Sequence, residues 1–513
     1  MKEPLEGSFT TTLDVFDAVL DAAPDAEAFV DGDDRITFAE WATRADGVAA
    51  HLADRGVTRG DVVCFQLTSC IDYAIAYQAV MRLGAITSGV NPRLGRAEVE
   101  SIITRAEPKV VITDAGLTDA APIPAGPWQV IDRQVVRDAP PGDPIARRVQ
   151  ADATDTVAIV WTSGTTGVPK GAVFDHECLR ATADCAGVIS APGDRRISPL
   201  PFAHVGSMTR VWDELVNVIC TLITPSPWNA GETLRLMERE RATVGQGVPT
   251  MWTLMMAHPD LATTDFSSLR IAGTGAARVP PELVRDMRAK LGCPVVVRYA
   301  STEASLSTGT SPDDDVETVA NTVGRPPKGI ELRIADAAGD EVATGEVGTV
   351  WLRSRAVMRG YWRDPEQTAK VITPDGWLVT GDLGWVGDDG DLRLVGRHAE
   401  MYIRGGYNVY PGEVENTVGA HPAVASCAVL GGAVPVLGEI GVAFVVPAAG
   451  HDAPTLDELR AFVSDRLADY KAPDVVIVMD ALPLTSMGKV DKQVLLPSAA
   501  EAAETWVRPA RRK

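Results

Sequence analysis

The run Thr162-Ser163-Gly164-Thr165-Thr166-Gly167-Val168-Pro169-Lys170-Gly171 puts four hydroxyls, three glycines and a lysine into one short turn after an apolar strand at 157–161. Glycine lets the main chain curl until its N–H groups face one anion, and the hydroxyls and lysine add donors. Polyphosphate is the natural guest of such a loop. A flexible surface turn rarely sets a lysine behind a proline-stiffened glycine turn. A Walker A loop requires G-x-x-x-x-G-K-[ST], but Pro169 precedes Lys170 and Gly171 follows it. A dinucleotide fingerprint fails too, since Gly273-Thr274-Gly275-Ala276-Ala277-Arg278 lacks its last glycine. A kinase loop would be followed by V-A-I-K and H-R-D motifs, and neither occurs.

Further runs follow in order: Pro199-Leu200-Pro201-Phe202-Ala203-His204, Gly275-Ala276-Ala277, Tyr299-Ala300-Ser301-Thr302-Glu303 and Trp377-Leu378-Val379-Thr380-Gly381-Asp382. Gly396-Arg397, the stretch from Glu400 to Pro411, and Pro483-Leu484-Thr485-Ser486-Met487-Gly488-Lys489 complete the set. With the first loop, this series resembles the adenylate-forming superfamily of acyl-CoA synthetases, luciferases and peptide-synthetase adenylation domains. The resemblance covers essentially all 513 residues. Its chemistry is physically intelligible. A carboxylate repels nucleophiles and has no leaving group; joining it to AMP cures both faults, provided the crowded charge on the α-phosphate is stabilised.

The resemblance implies a role for each motif. Thr162, Ser163, Gly164, Thr165, Thr166, Gly167 and Lys170 would cradle the triphosphate of ATP. Gly275, Ala276 and Ala277 would let the backbone lie along the adenine, with Tyr299 stacking on it beside Ala300 and Ser301. Thr302 would bond the α-phosphate and Glu303 would hold Mg²⁺ in an oxygen shell. Asp382 would accept from both ribose hydroxyls, and Arg397 would reach ribose and phosphate. Lys489 would bridge the acid and the α-phosphate. His204 would gate or line the acyl pocket, with Val205, Met208 and Arg210 facing or flanking the acyl group. Arg210 either reaches water along its apolar stem or meets a polar or charged substituent. Arg298, just before Tyr299, is similar to its counterpart in synthetases for small diacids. Ala300 replaces the usual glycine and narrows the adjoining pocket.

In relatives the small domain swings once the adenylate exists, withdrawing the lysine and bringing a glycine pair, here Gly405-Gly406, to a tunnel for the pantetheine arm of coenzyme A. The hinge position is Ala399, where relatives carry Asp or Lys. That departure leaves two outcomes open: a tuned swing, or a dedicated acyl-AMP ligase passing its adenylate to a partner enzyme. A stand-alone peptide-synthetase-type adenylation enzyme is the other alternative, although Ala203 replaces the Asp that would pair an amine. Luciferase chemistry is compatible with the motifs. The best match is an AMP-forming acid–CoA ligase for medium-chain, cyclic or polycyclic carboxylates, of the kind met in steroid breakdown and secondary metabolism.

Length and composition agree. A chain of 513 residues exceeds one core, so at least two domains are expected. The implied layout is an α/β N-terminal domain of mixed and parallel sheets with a distorted barrel over 1–396, a hinge at 397–400, and a small mobile α+β lid over 401–513. The βαβ rhythm carries the first part: helical periodicity at 38–55, 71–83 and 96–105 alternates with apolar runs at 61–67, 85–90 and 109–114. Short strands follow at 331–334, 348–353 and 392–395, then strands at 425–430 and 441–446, a helix at 456–468, and a loosely held tail over the last twenty residues. The net charge of −21 argues against nucleic acid or an anionic membrane surface as a general partner and requires that the sites for ATP and coenzyme A be local concentrations of positive charge and main-chain donors. Seven cysteines without C-x-x-C spacing read as thiols of a reducing cytoplasm. The start of the chain carries no apolar signal core, and no run reaches the about 18–20 apolar residues of a membrane span. A cytoplasmic enzyme is expected, with a homodimer left open.

Overall fold

Helix starts are written locally. The helix expected over 38–55 forms as Phe38–Asp54, opened by a capping box in which Glu40 N donates to Thr37 Oγ1 and Thr37 N donates to the Glu40 carboxylate. The next helix, Ile71–Arg82, is buried along its whole length because it lies between two sheets. Its one cation, Arg82, is matched by Asp46 at 3.3 Å. The computed structural model describes residues 3–118, 121–142, 150–162, 168–485 and 488–506.

One sheet has six strands in the order Gln129–Asp132, Val110–Thr113, Val62–Gln66, Ile86–Gly89, Thr156–Thr162, Lys170–Asp175, parallel except for the last pair. A second has eight: Ser305–Gly309, Val295–Ser301, Ile271–Gly275, Val244–Gly247, Arg195–Ser198, Cys220–Ile223, Glu27–Asp31, Asp34–Thr37. It is parallel inside and antiparallel at both edges. Its inner strands are mostly buried although they include polar residues such as Arg196 and Thr221. The short strands expected at 331–334, 348–353 and 392–395 belong to a four-stranded antiparallel meander, Ile330–Ala335, Gly348–Ser354, Leu378–Val386 and Leu392–Arg397. The main core fills the space between sheets, with Trp41 edge-on to Phe16 and Phe29 at 4.9 Å and its indole N–H donating to Ala74 O. All seven cysteines are unpaired. Among the described residues, no helix is long and apolar enough to cross a membrane.

After Arg397 comes a separate five-stranded sheet with its own apolar cluster, built on the long pair Val424–Val434 and Gly438–Pro447. Two sequence expectations change here. The strand expected to stop at 430 runs on through Gly431-Gly432, because a β-carbon on Gly431 would sit 2.5 Å from Tyr402 Cβ and one on Gly432 2.7 Å from Ala503 Cβ. The glycines are there for close approach and do not break the strand. Of the tail expected to be loose, residues 494–505 belong instead to the helix Lys492–Thr505, which buries Leu495, Ala499 and Ala503 against Val424–Val434, and residues 507–513 lie outside the described residues. The helix expected over 456–468 ends earlier, at Ser464.

Gly432→Val is expected to lift that helix from the sheet and to cost about 1–3 kcal/mol by overpacking. Denaturant unfolding followed separately on the small module would measure it, and an unchanged midpoint would disprove the contact's importance.

Candidate active site

Parallel sheets gather functional groups at the carboxyl ends of their strands. Here two sheets do so toward one place. Gly89, Thr162, Gly275 and Ser301 each end a strand, and a cleft of about 520 Å³ opens where Gly89, Thr162, Ala276, Ala300, Ser301, Thr302 and Glu303 converge. The meander contributes Thr380, Gly381, Asp382 and Arg397, and the small module contributes Thr485 and Lys489. Residues 163–167, the middle of the predicted phosphate loop, lie outside the described residues. Its flanks are described: Thr162 pairs with Lys170 across an antiparallel ladder, and both line the cleft.

Lys489 enters on a tight turn. Thr485 N donates to Lys489 O at 2.7 Å, Lys489 N donates to Thr485 Oγ1 at 3.2 Å, and Gly488 takes a left-handed φ of 75°. The large module grips the same turn, since Thr250 Oγ1 donates to Gly488 O at 3.1 Å. Burial, then the charge of Arg397, lowers the pKa of Lys489; Asp382 and Glu303 oppose the shift. The residues thus favour an anion that would restore the ammonium's stability.

Asp382 is held from two sides, with Tyr299 OH donating to one oxygen at 2.5 Å and Arg397 Nε to the other at 2.9 Å. Each oxygen keeps a lone pair for the cleft. Tyr299 itself is buried and does not line the cleft, and it reaches the site through Asp382. Gly275 cannot bear a β-carbon, which would fall 2.1 Å from Arg298 O, and Ala276 adopts a left-handed φ of 61°. That conformation costs a non-glycine residue about 1 kcal/mol, a local strain concentrated at the site. Of this turn only Ala276 lines the cleft.

Tyr361 was missed by sequence reasoning. Its hydroxyl donates to Glu303 Oε1 at 2.8 Å, while its ring lies 4.9 Å from Lys170 Nζ. One side chain therefore orients a cleft acid and a cleft base. The expected concentration of positive charge does not appear among the described lining residues: Lys170, Arg397 and Lys489 are balanced by Glu98, Glu303 and Asp382. Acids that serve a ribose or a metal ion must share the cleft with bases that serve phosphate.

The acyl side needs the largest correction. His204 lines the cleft, beside Ala203 and Ala300. It caps a four-residue helix, its Nδ1 accepting from Gly206 N at 3.2 Å, and burial together with Lys489 pulls its pKa down to about 3. Val205, Met208 and Arg210 do not line the cleft. Val205 is buried in the core, and Met208 backs a separate apolar cavity with Tyr73, Tyr77 and Phe202. Arg210 is neither in water nor at the cleft: it is buried against Asp213, which also takes Arg196. Arg298 likewise donates to Cys185 O at 2.8 Å, capping a helix end. Gly405 and Gly406 form the two-residue turn of an exposed hairpin, with φ of 60° and 90°, away from the cleft while Lys489 is in it. Ala399 stands at the cleft margin.

Comparison with known proteins places the chain in a family. Residues 16–362 match the AMP-binding enzyme family and residues 413–489 match the AMP-binding enzyme C-terminal domain. The chain belongs to this family of adenylate-forming enzymes. It is 37% identical over 509 residues to a 3-[(3aS,4S,7aS)-7a-methyl-1,5-dioxo-octahydro-1H-inden-4-yl]propanoyl:CoA ligase of Mycobacterium tuberculosis, covering 93% of this chain and 97% of that one. A feruloyl-CoA synthase of Amycolatopsis is 34% identical over 483 residues, covering 92% and 95%. The ATP-bound crystal structure of MatB from Rhodopseudomonas palustris superposes with a TM-score of 0.86 at 30% identity, covering 95% of this chain and 99% of that one.

A histidine pulled down to about 3 stays neutral at ordinary pH. The ring signal that His204→Asn removes from an NMR spectrum is expected not to titrate between about pH 5 and 8, whereas an exposed imidazole would move near 6.5.

Proposed function

We propose that this chain is an AMP-forming acid–CoA ligase whose acid is a hydrophobic medium-chain, cyclic or polycyclic carboxylate. One observation carries the reading: Lys489 lies in the same cleft as Thr162, Lys170, Glu303 and Asp382, although it comes from the opposite end of the chain. The ring-bearing acids named for the two relatives support the substrate class. The uncharged groups Ala203, Ala300 and neutral His204 on the acyl side support it as well.

In the first half-reaction a carboxylate oxygen attacks the α-phosphorus of ATP. The bond from that phosphorus to the bridging oxygen breaks, and pyrophosphate leaves with the electron pair. Lys489 holds the acid and an α-phosphate oxygen together as charge shifts between them. Asp382 fixes the ribose, Thr302 donates to the α-phosphate, and the loop at 162–170 restrains the leaving group. Glu303 presents a carboxylate steadied by Tyr361, and among the described residues no group of three metal-binding side chains exists. That fits Mg²⁺, which takes one or two carboxylates and fills its shell with phosphate oxygens and water. When bound it neutralises phosphate charge. In the second half-reaction the thiol sulfur of coenzyme A attacks the acyl carbon, the bond to AMP breaks, and the thiol proton passes to water. Gly405 and Gly406 would line the thiol's path after the small module, 401–513, turns about 397–400.

A second reading keeps only the first half-reaction, with a partner enzyme receiving the adenylate, because Ala399 occupies the hinge. Pyrophosphate release measured over acids graded by length, ring count and second charge, with and without coenzyme A, separates the two. Acid-dependent release with thioester formation is expected; release without thioester favours the second reading, and no release with any acid refutes both. Lys489→Ala is expected to lower acid-dependent pyrophosphate exchange by ~100-fold or more while ATP binding stays within about twofold. Near-normal exchange in that variant would remove Lys489 from the mechanism.

A further inference from the structure

The turn after Gly275 carries an arginine whose partners lie on the small module. Arg278 Nη1 is 3.9 Å from Glu415 Oε2. The same nitrogen lies 2.8 Å from where a β-carbon on Gly412 would stand, so the guanidinium occupies the space that a side chain there would fill. Gly412 and Glu415 share the helix Pro411–Gly419. The other oxygen of Glu415 is already engaged, accepting from Val429 N at 2.8 Å and pairing with Lys492 Nζ at 2.9 Å. Lys492 pairs in turn with Glu400 at 2.7 Å. The result is a row of alternating charge, Arg278, Glu415, Lys492, Glu400, running from the nucleotide-side turn to the segment beside Ala399. Lys492 opens the helix Lys492–Thr505 three residues after Lys489. Glu415 and Lys492 are shielded, with 13% and 23% of their side chains exposed, so solvent screens the middle of this row less than its ends at Arg278 and Glu400, which are 34% and 39% exposed.

Nothing in the chemistry of adenylation requires Arg278 to touch the nucleotide. Its position makes it a clasp between modules, the second after the Thr250–Gly488 bond. We propose that Arg278 is a positioning residue for Lys489: its ion pair with Glu415 holds the small module in the adenylate-forming arrangement and must open before Gly405-Gly406 can reach the cleft. This rests on the two-half-reaction reading above. A clasp of this kind acts on the two steps in opposite directions, which a residue needed only for folding would not do.

The test uses the full chain with Arg278→Met, Arg278→Lys and Glu415→Gln. The kinetic arm takes the panel acid that the unaltered enzyme turns over fastest. Arg278→Met is expected to lower the kcat of pyrophosphate exchange at least about fivefold with the KM for ATP within about twofold, while thioester formation from preformed acyl-adenylate is unchanged or faster. Arg278→Lys should restore at least half of the lost exchange, since it keeps the charge, and Glu415→Gln should behave like Arg278→Met. Equal loss in both half-reactions, or no loss in either, overturns the proposal. The second arm needs no acid: nitroxides on Val130→Cys and Val436→Cys, both exposed positions, report the distance between modules with AMP as the probe. A second distance population in Arg278→Met, absent without that change, supports the clasp, and an unaltered distribution overturns it. A chain that activates no acid would sink the proposed function while this distance still decides the clasp.

Discussion

The architecture turns on one separation: the ammonium of Lys489 belongs to a module that folds around its own apolar cluster, yet it is lodged in a cleft walled by three other sheets. Lodging a cation there costs solvation, which is why burial leads the causes that lower its pKa. Nearby acids return part of that cost. Asp382 and Glu303 act on Lys489 directly, and each is itself steadied by a tyrosine hydroxyl. The Thr485–Lys489 turn and the hydroxyl of Thr250 then fix where the ammonium can be.

Legibility in the sequence followed backbone restriction. Lys489, Asp382 and Arg397 each sit beside a glycine with a positive φ, in Gly488, Gly381 and Gly396, and turns so restricted leave little freedom in where the next side chain points. These residues were found from sequence and are brought together. Val205, Met208 and Arg210 were inferred from nearness along the chain to His204, and nearness does not give direction. The helix Val205–Met208 is too short to present a stable face, and Asp213, three residues beyond Arg210, captures its guanidinium. Tyr361 left no local signal because its partner Glu303 is 58 residues away. The helix Lys492–Thr505 was hidden for a related reason: its alanine-rich face docks only because Gly432, on a distant strand, has no side chain. Helices of the large module were legible where apolar periodicity set burial, as at Phe38–Asp54.

Several residues that looked available for substrate are consumed by the fold. Arg196 and Arg210 share Asp213, and Arg298 caps the carbonyls at the end of the helix His176–Ala186. A buried guanidinium without such partners would be expensive, so these contacts are what makes three arginines tolerable behind the active site.

In the proposed ligase, an acyl tail lying against Ala203, Ala300 and the uncharged ring of His204 would meet no ionic group from those three residues. Such a surface discriminates by volume and contour, and a missing or extra methylene in an apolar recess shifts preference by only about 10–200-fold. A catalyst sieving in this way tolerates neighbouring homologues of its preferred acid, and one or two substitutions at these small positions suffice to retune it.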